Sequence, residues 1–125
     1  MNQFVGGGTT AVEAKPTNRN FIGVDINPKA VEITKNKLNF ECEFNHSSKE
    51  RQGDTRNLSA INDGEIDLTC THPPYSDIIH YSEVIDGDMS LMPIKTFLFE
   101  IGKVAEVHCR VLKKRGLRHV CGRYA

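Results

Sequence analysis

Three short segments carry residue types that do chemistry together. Phe4-Val5-Gly6-Gly7-Gly8-Thr9-Thr10 places glycines just ahead of helix-compatible residues, where backbone N–H groups can approach a ligand closely. Phe21-Ile22-Gly23-Val24-Asp25 is a β-branched apolar run ending in an acid, and a carboxylate there can accept both hydroxyls of a ribose. His72-Pro73-Pro74-Tyr75 adds a stiff turn whose carbonyls are fixed by proline, next to an aromatic face. The combination describes a nucleotide-type cofactor site beside a pocket for a planar, amino-bearing substrate. A phosphate-transfer loop is excluded, because Gly8 runs straight into Thr9 with no lysine before the hydroxyl residue.

The elements that must position these residues follow from periodicity and caps. Asn27-Pro28 predicts a helix start, with Asn27 as cap and Pro28 at the first helical position, and the helix runs towards Leu38. Glu41 to Arg51 is polar and without period, which predicts a loop with at most a short strand near Arg51-Gln52. Glu65 to Thr71 alternates and is rich in β-formers, predicting a strand that delivers His72 to Tyr75 at its C-terminal end. Phe97, Ile101, Val104, Ala105, His108 and Leu112 recur at helical spacing and predict a long amphipathic helix closing at Gly116, with His108 in the core or at its boundary. Strand and helix signals that alternate in this way predict a parallel α/β sheet.

The segments together resemble the amino-group DNA methyltransferases, which act on N6 of adenine or N4 of cytosine with S-adenosylmethionine. Phe4 to Thr10 resembles the cofactor loop of that family, and Glu13-Ala14 continues the match. Phe21 to Pro28 resembles the second motif, with Asp25 in the ribose-binding place, and Gly53-Asp54-Thr55-Arg56-Asn57-Leu58 resembles the third, whose aspartate contacts the cofactor's adenine. The resemblance implies S-adenosylmethionine as cofactor, with Phe4, Gly6, Gly8, Thr9, Thr10, Asp25, Ile26, Asp54 and Thr55 binding it. It implies His72, Pro73, Pro74 and Tyr75 as the catalytic segment. It also implies a Rossmann-like class I methyltransferase sheet with flanking helices, incomplete at both ends, as a single domain over residues 1–125.

Nucleic acid is the implied partner, DNA ahead of RNA, with a second chain completing the fold or reading the sequence. The stretch between Asp25 and His72 leaves no room for a target-recognition domain. The alternatives are an RNA methyltransferase acting on the guanine N2 amino group and a non-catalytic remnant that binds cofactor. His72 motivates the last of these, because the family has Asp, Asn or Ser before Pro-Pro-Tyr. A neutral histidine offers one acceptor nitrogen and a protonated one offers none.

Composition sets outer bounds. The chain has 125 residues and zero formal charge, yet residues 101–125 carry seven Lys or Arg against Glu106, a basic edge that suits either a phosphate backbone or a solvated helix end. Cys42, Cys70, Cys109 and Cys121 lack the spacing of a zinc site or a disulfide framework, and no metal is expected. No apolar run is long enough to span a bilayer and no signal peptide is evident, so the expectation is a cytoplasmic protein without membrane contact.

Overall fold

The computed structural model describes residues 1–44, 46–76, 79–82 and 84–120, with the backbone alone over 116–120. In chain order its elements are α1 (Thr9–Ala14), β1 (Phe21–Asp25), α2 (Pro28–Lys37), β2 (Ser48–Gln52), β3 (Ile66–Thr71), a 3-10 turn (Met89–Leu91), α3 (Ile94–Val111) and β4 (Leu112–Val120). The strands form two parallel pairs, β1 with β2 and β3 with β4.

Met1 and Asn2 lie between the pairs and hydrogen-bond to both. The Asn2 N–H donates to the Ile22 carbonyl and its own carbonyl accepts from Val24, each at 2.9 Å, the pattern of a parallel bridge to Gly23. The terminal ammonium of Met1 donates to the Leu68 carbonyl at 2.7 Å, and the Met1 carbonyl accepts from the Cys70 N–H at 3.0 Å. The hydrogen-bonded order is therefore β2, β1, Met1–Asn2, β3, β4, and the C-terminal ends of β1 and β3 lie on the same side. This is a small mixed α/β unit of short parallel strands.

Local sequence explains most of these elements. The Asn27 side chain accepts from the Lys29 N–H at 3.0 Å and caps α2, and Pro28 opens the helix where its missing N–H costs nothing. Val24, Leu58, Ile61, Ile66, Val111 and Leu112 form one apolar cluster; Val5, Ala11 and Phe21 form a smaller one under the glycine loop. His108 is buried and its Nε2 bonds the Thr69 hydroxyl, joining α3 to β3 as a core histidine.

Two boundaries differ from expectation. Residues 48–52, expected as loop except near the end, form all of β2, because pairing with β1 satisfies a polar backbone that has no apolar pattern of its own. The long helix ends at Val111 rather than Gly116. Leu112 pairs with Ile66, and the ladder shifts before resuming at Leu68 with Leu117, so Lys113, Lys114 and Arg115 fall in the irregularity, all exposed. The basic edge is partly neutralised inside the chain: Lys113 pairs with Asp67, and Arg110 pairs with Asp63 and donates to the Leu58 and Ile61 carbonyls. The side chains of Arg118 and Arg123 lie outside the described residues, as does Cys121; Cys42, Cys70 and Cys109 form no disulfide with one another. No described helix is long and apolar enough to cross a membrane.

Gln3 is the largest fully buried side chain, and neither its amide nitrogen nor its amide oxygen has a hydrogen-bond partner among the described residues. A buried amide left unpaired costs about 1 to 3 kcal/mol. Gln3→Met, which keeps the shape and removes the polar atoms, is expected to stabilise the fold by about that amount. Equilibrium urea unfolding should show a higher midpoint with an unchanged slope.

Candidate functional site

A cavity of about 650 Å³ opens where the C-terminal ends of β1 and β3 meet the glycine loop. Parallel sheets bind ligands at that edge, and the volume is that of a small-molecule site. Of the residues expected to bind a cofactor, Phe4, Gly6, Thr9 and Thr10 reach its wall from the loop, Asp25 and Ile26 from the end of β1, and Asp54 and Thr55 from the turn after β2. His72 and Pro74 reach it from the segment after β3. Four stretches far apart in sequence thus converge on one space.

Gly8 does not line the cavity. It is the N-cap of α1 at φ 80°, where a Cβ would stand 2.7 Å from the Thr34 hydroxyl and 3.0 Å from the Thr34 Cα. Its role is to let α1 approach α2 and so set the turn of the loop. Gly8→Ala combines a left-handed backbone with a clash against a helix, and a loss of about 2 to 4 kcal/mol in chemical denaturation is expected.

Asp25 organises the loop. Its two carboxylate oxygens accept the N–H groups of Gly6 and Asn27, each at 2.9 Å. A carboxylate offers about four acceptor positions, so two remain for hydroxyls of a ligand. Burial raises its pKa above the ordinary value, the backbone N–H groups of Asn27, Gly6 and, to a smaller extent, Ile26 oppose that shift, and the nearby Asp88 charge adds to it. Asp88 is itself buried on the cavity wall, and it accepts from the Ser90 N–H and hydroxyl at 2.8 and 2.7 Å and from the Ser82 hydroxyl.

Asp54 lines the cavity with its carboxylate already held. Arg56 donates to it through Nε at 2.8 and 2.9 Å, through Nη2, and through its backbone N–H at 2.9 Å. The same guanidinium reaches Glu100 on α3 at 2.6 Å and the Gly87 carbonyl at 3.3 Å. Burial pushes the Asp54 carboxyl up, but the Arg56 bonds outweigh it and hold the group below the usual carboxylate range. The Arg56 guanidinium is raised in turn by its bond to Asp54.

Within His72-Pro73-Pro74-Tyr75 the residues separate. Pro73 faces a second, apolar cavity of about 230 Å³ against α3. Tyr75 is half-buried and off the main cavity wall; its hydroxyl is 3.3 Å from His72 Nε2, with the rings edge-on at 5.6 Å. An aromatic that the sequence reading passed over, Tyr81, does line the main cavity and is half-exposed. Its N–H donates to the Ser90 hydroxyl at 3.1 Å and its carbonyl accepts from the Asn27 side chain at 3.5 Å. Asn2 was also missed: its amide donates to the Thr10 hydroxyl at 3.1 Å, and its oxygen accepts from Phe4 N–H at 3.0 Å and the Thr71 hydroxyl at 3.4 Å. Neither residue sits in a pattern with a period or a motif, so only folding reveals them. Among the described residues no group of His, Cys, Asp and Glu is arranged to hold a metal.

Residues 3–36, from the glycine loop through most of α2, match the model of the N6/N4 DNA methylase family. Over that segment the chain is similar to the amino-group DNA methylases. The matched segment is about a quarter of the chain, and it contains the loop, the Asp25 carboxylate and the capped start of α2. No curated protein matches the chain.

Proposed function

We propose that this chain holds S-adenosylmethionine in the 650 Å³ cavity and presents it to an exocyclic amino group of a base in DNA, N6 of adenine or N4 of cytosine. The observation that carries the reading is the convergence on one cavity wall of the loop glycine Gly6, Asp25, Asp54, His72 and Pro74. Charge supports it. Asp25 and Asp88 face the cavity against one Lys or Arg on its wall among the described residues, Lys29, while the Asp54 charge is matched by Arg56. That balance suits a ligand carrying positive charge and opposes one carrying several phosphates. The two free acceptor positions of Asp25 suit the hydroxyls of a ribose, and the apolar side chains of Ile26 and Ile33 on the wall suit a planar base.

When bound, the cofactor supplies an electrophilic methyl group on a sulfonium. The chain's own part is to strip water from the site, hold the target and accept from its amine. An exocyclic amine is a poor nucleophile because its lone pair is delocalised into the ring, and an acceptor aimed at its hydrogens restores that lone pair. His72 and the carbonyls of the Pro73-Pro74 turn are the candidates. For the target base, taken out of its stack, Tyr75 is the aromatic expected from the motif and Tyr81 the one on the cavity wall. Stacking on such a ring is worth about 1 to 3 kcal/mol.

The test is transfer of labelled methyl from S-adenosylmethionine to duplex DNA and to tRNA. Label in DNA amino groups supports the reading, and label confined to guanine N2 of tRNA replaces it with the RNA reading. Calorimetric cofactor binding without transfer to either nucleic acid leaves the non-catalytic reading, which His72 favours.

A further inference from the structure

The outer face of α3 carries an apolar stripe with no partner. Ile94, Leu98, Ile101, Ala105 and Cys109 follow one another at steps of three and four residues, which places them along one side of the helix. Ile94 and Leu98 are 58% and 60% exposed, Ala105 and Cys109 are exposed, and Gly102 lies at mid-stripe with open space where a Cβ would be. Ile101, Ala105 and Cys109 also form one wall of the 230 Å³ apolar groove beside Pro73. We infer that this face pairs with the same face of a second copy of the chain, the two α3 helices running antiparallel about a two-fold axis between Ile101 and Gly102.

Two independent features select that occupant. The first is shape. About this axis Leu98 faces Ala105, Ile94 faces Cys109 and Ile101 faces Gly102, so each large side chain meets a small one, and Leu98 of one copy enters the groove of the other. The second is charge. Lys95 and Glu106 lie on one flank of the stripe about three turns apart, towards opposite ends of the helix, and neither has an ion-pair partner among the described residues. Antiparallel pairing brings Lys95 of each copy to Glu106 of the other. Parallel pairing would put this flank on opposite sides of the interface in the two copies and form no such pair.

Sedimentation equilibrium of the full chain over a wide concentration range tests this. A reversible monomer–dimer equilibrium is expected. Leu98→Glu, at an exposed position, should raise the dissociation constant by about tenfold or more, with an unchanged far-UV circular dichroism spectrum. Lys95→Glu and Glu106→Lys should each weaken the dimer by about two- to fivefold per contact, and the double reversal should restore it. Should Leu98→Glu fail to fold, the charge reversals decide alone. A chain that stays monomeric at all concentrations overturns the inference, as does a double reversal as weak as the combined single variants.

Discussion

Replacing Asp25 by alanine should weaken S-adenosylmethionine binding by more than tenfold. One charge-assisted hydrogen bond to a ribose hydroxyl is worth about 1.5 to 3 kcal/mol. Its loss is compounded because the same carboxylate holds the Gly6 N–H and so the shape of the loop. Burial raises the Asp25 pKa, so the stability it contributes to the ligand-free fold is present below the ordinary carboxylate value and lost as pH rises through the raised one. At neutral pH the ionised carboxylate is therefore a cost to the ligand-free fold. Asp25→Asn removes that buried charge but keeps one acceptor oxygen and sets an amide NH2 against the Gly6 or the Asn27 N–H, so it too should reduce affinity. Binding to the parent should weaken in mildly acidic solution as the carboxyl takes up its proton. Equal affinity of Asp25→Ala and the parent by calorimetry would remove the cofactor assignment.

The second large effect is expected at His72. Only a neutral imidazole accepts a hydrogen bond from an amine, and the Tyr75 hydroxyl already stands beside Nε2. If that hydroxyl donates to Nε2, the ring proton sits on Nδ1 and His72 offers the target no acceptor at all. If the hydroxyl accepts from Nε2, Nδ1 is free to serve. His72→Asp gives the site two acceptor oxygens in either case. A hydrogen-bond partner that acts in the transition state is worth on the order of a hundredfold in rate, so His72→Asp should raise methyl transfer to DNA by up to that factor. Tyr75→Phe distinguishes the tautomers: it should raise activity in the first case and leave it unchanged in the second. If His72→Asp folds, binds the cofactor and transfers no methyl group to DNA or RNA, the catalytic reading fails.

What could be read from the sequence was what local chemistry specifies. Asn27-Pro28 announces a cap and a first turn wherever it occurs, and the glycine run marks a loop of close backbone approach, in which Gly6 and Gly8 take φ of 50° and 80°. The run from Glu65 to Thr71 has the alternation and β-branching of a strand. β2 was hidden because Ser48-Lys49-Glu50-Arg51-Gln52 has no apolar face, and its strand character comes from the edge of β1. The end of α3 was misjudged because Lys113 to Arg115 are good helix formers, whereas Leu112 is drawn out of the helix by pairing with Ile66. In the site, motif residues were legible and their partners were not. The grip of Arg56 on both Asp54 and Glu100 joins positions far apart in the chain, and Tyr81 reaches the cavity through contacts with Asn27 and Ser90.

The position of Met1 and Asn2 between the two strand pairs divides the molecule by task. β1, β2, α1 and α2 carry the loop and Asp25; β3, α3 and β4 carry the segment from His72 to Tyr81. Among the described residues, ladder hydrogen bonds pass from one half of the sheet to the other only through these two. What holds the halves together is therefore side-chain packing: Val24 of one half lies in the same buried cluster as Ile66, Val111 and Leu112 of the other, and Arg56 reaches Glu100 across the divide. The placement of Asp25 relative to His72 thus depends on the core beneath the sheet more than on its ladder, and a cavity-forming change at Val24 or Ile66 would disturb the alignment of the two.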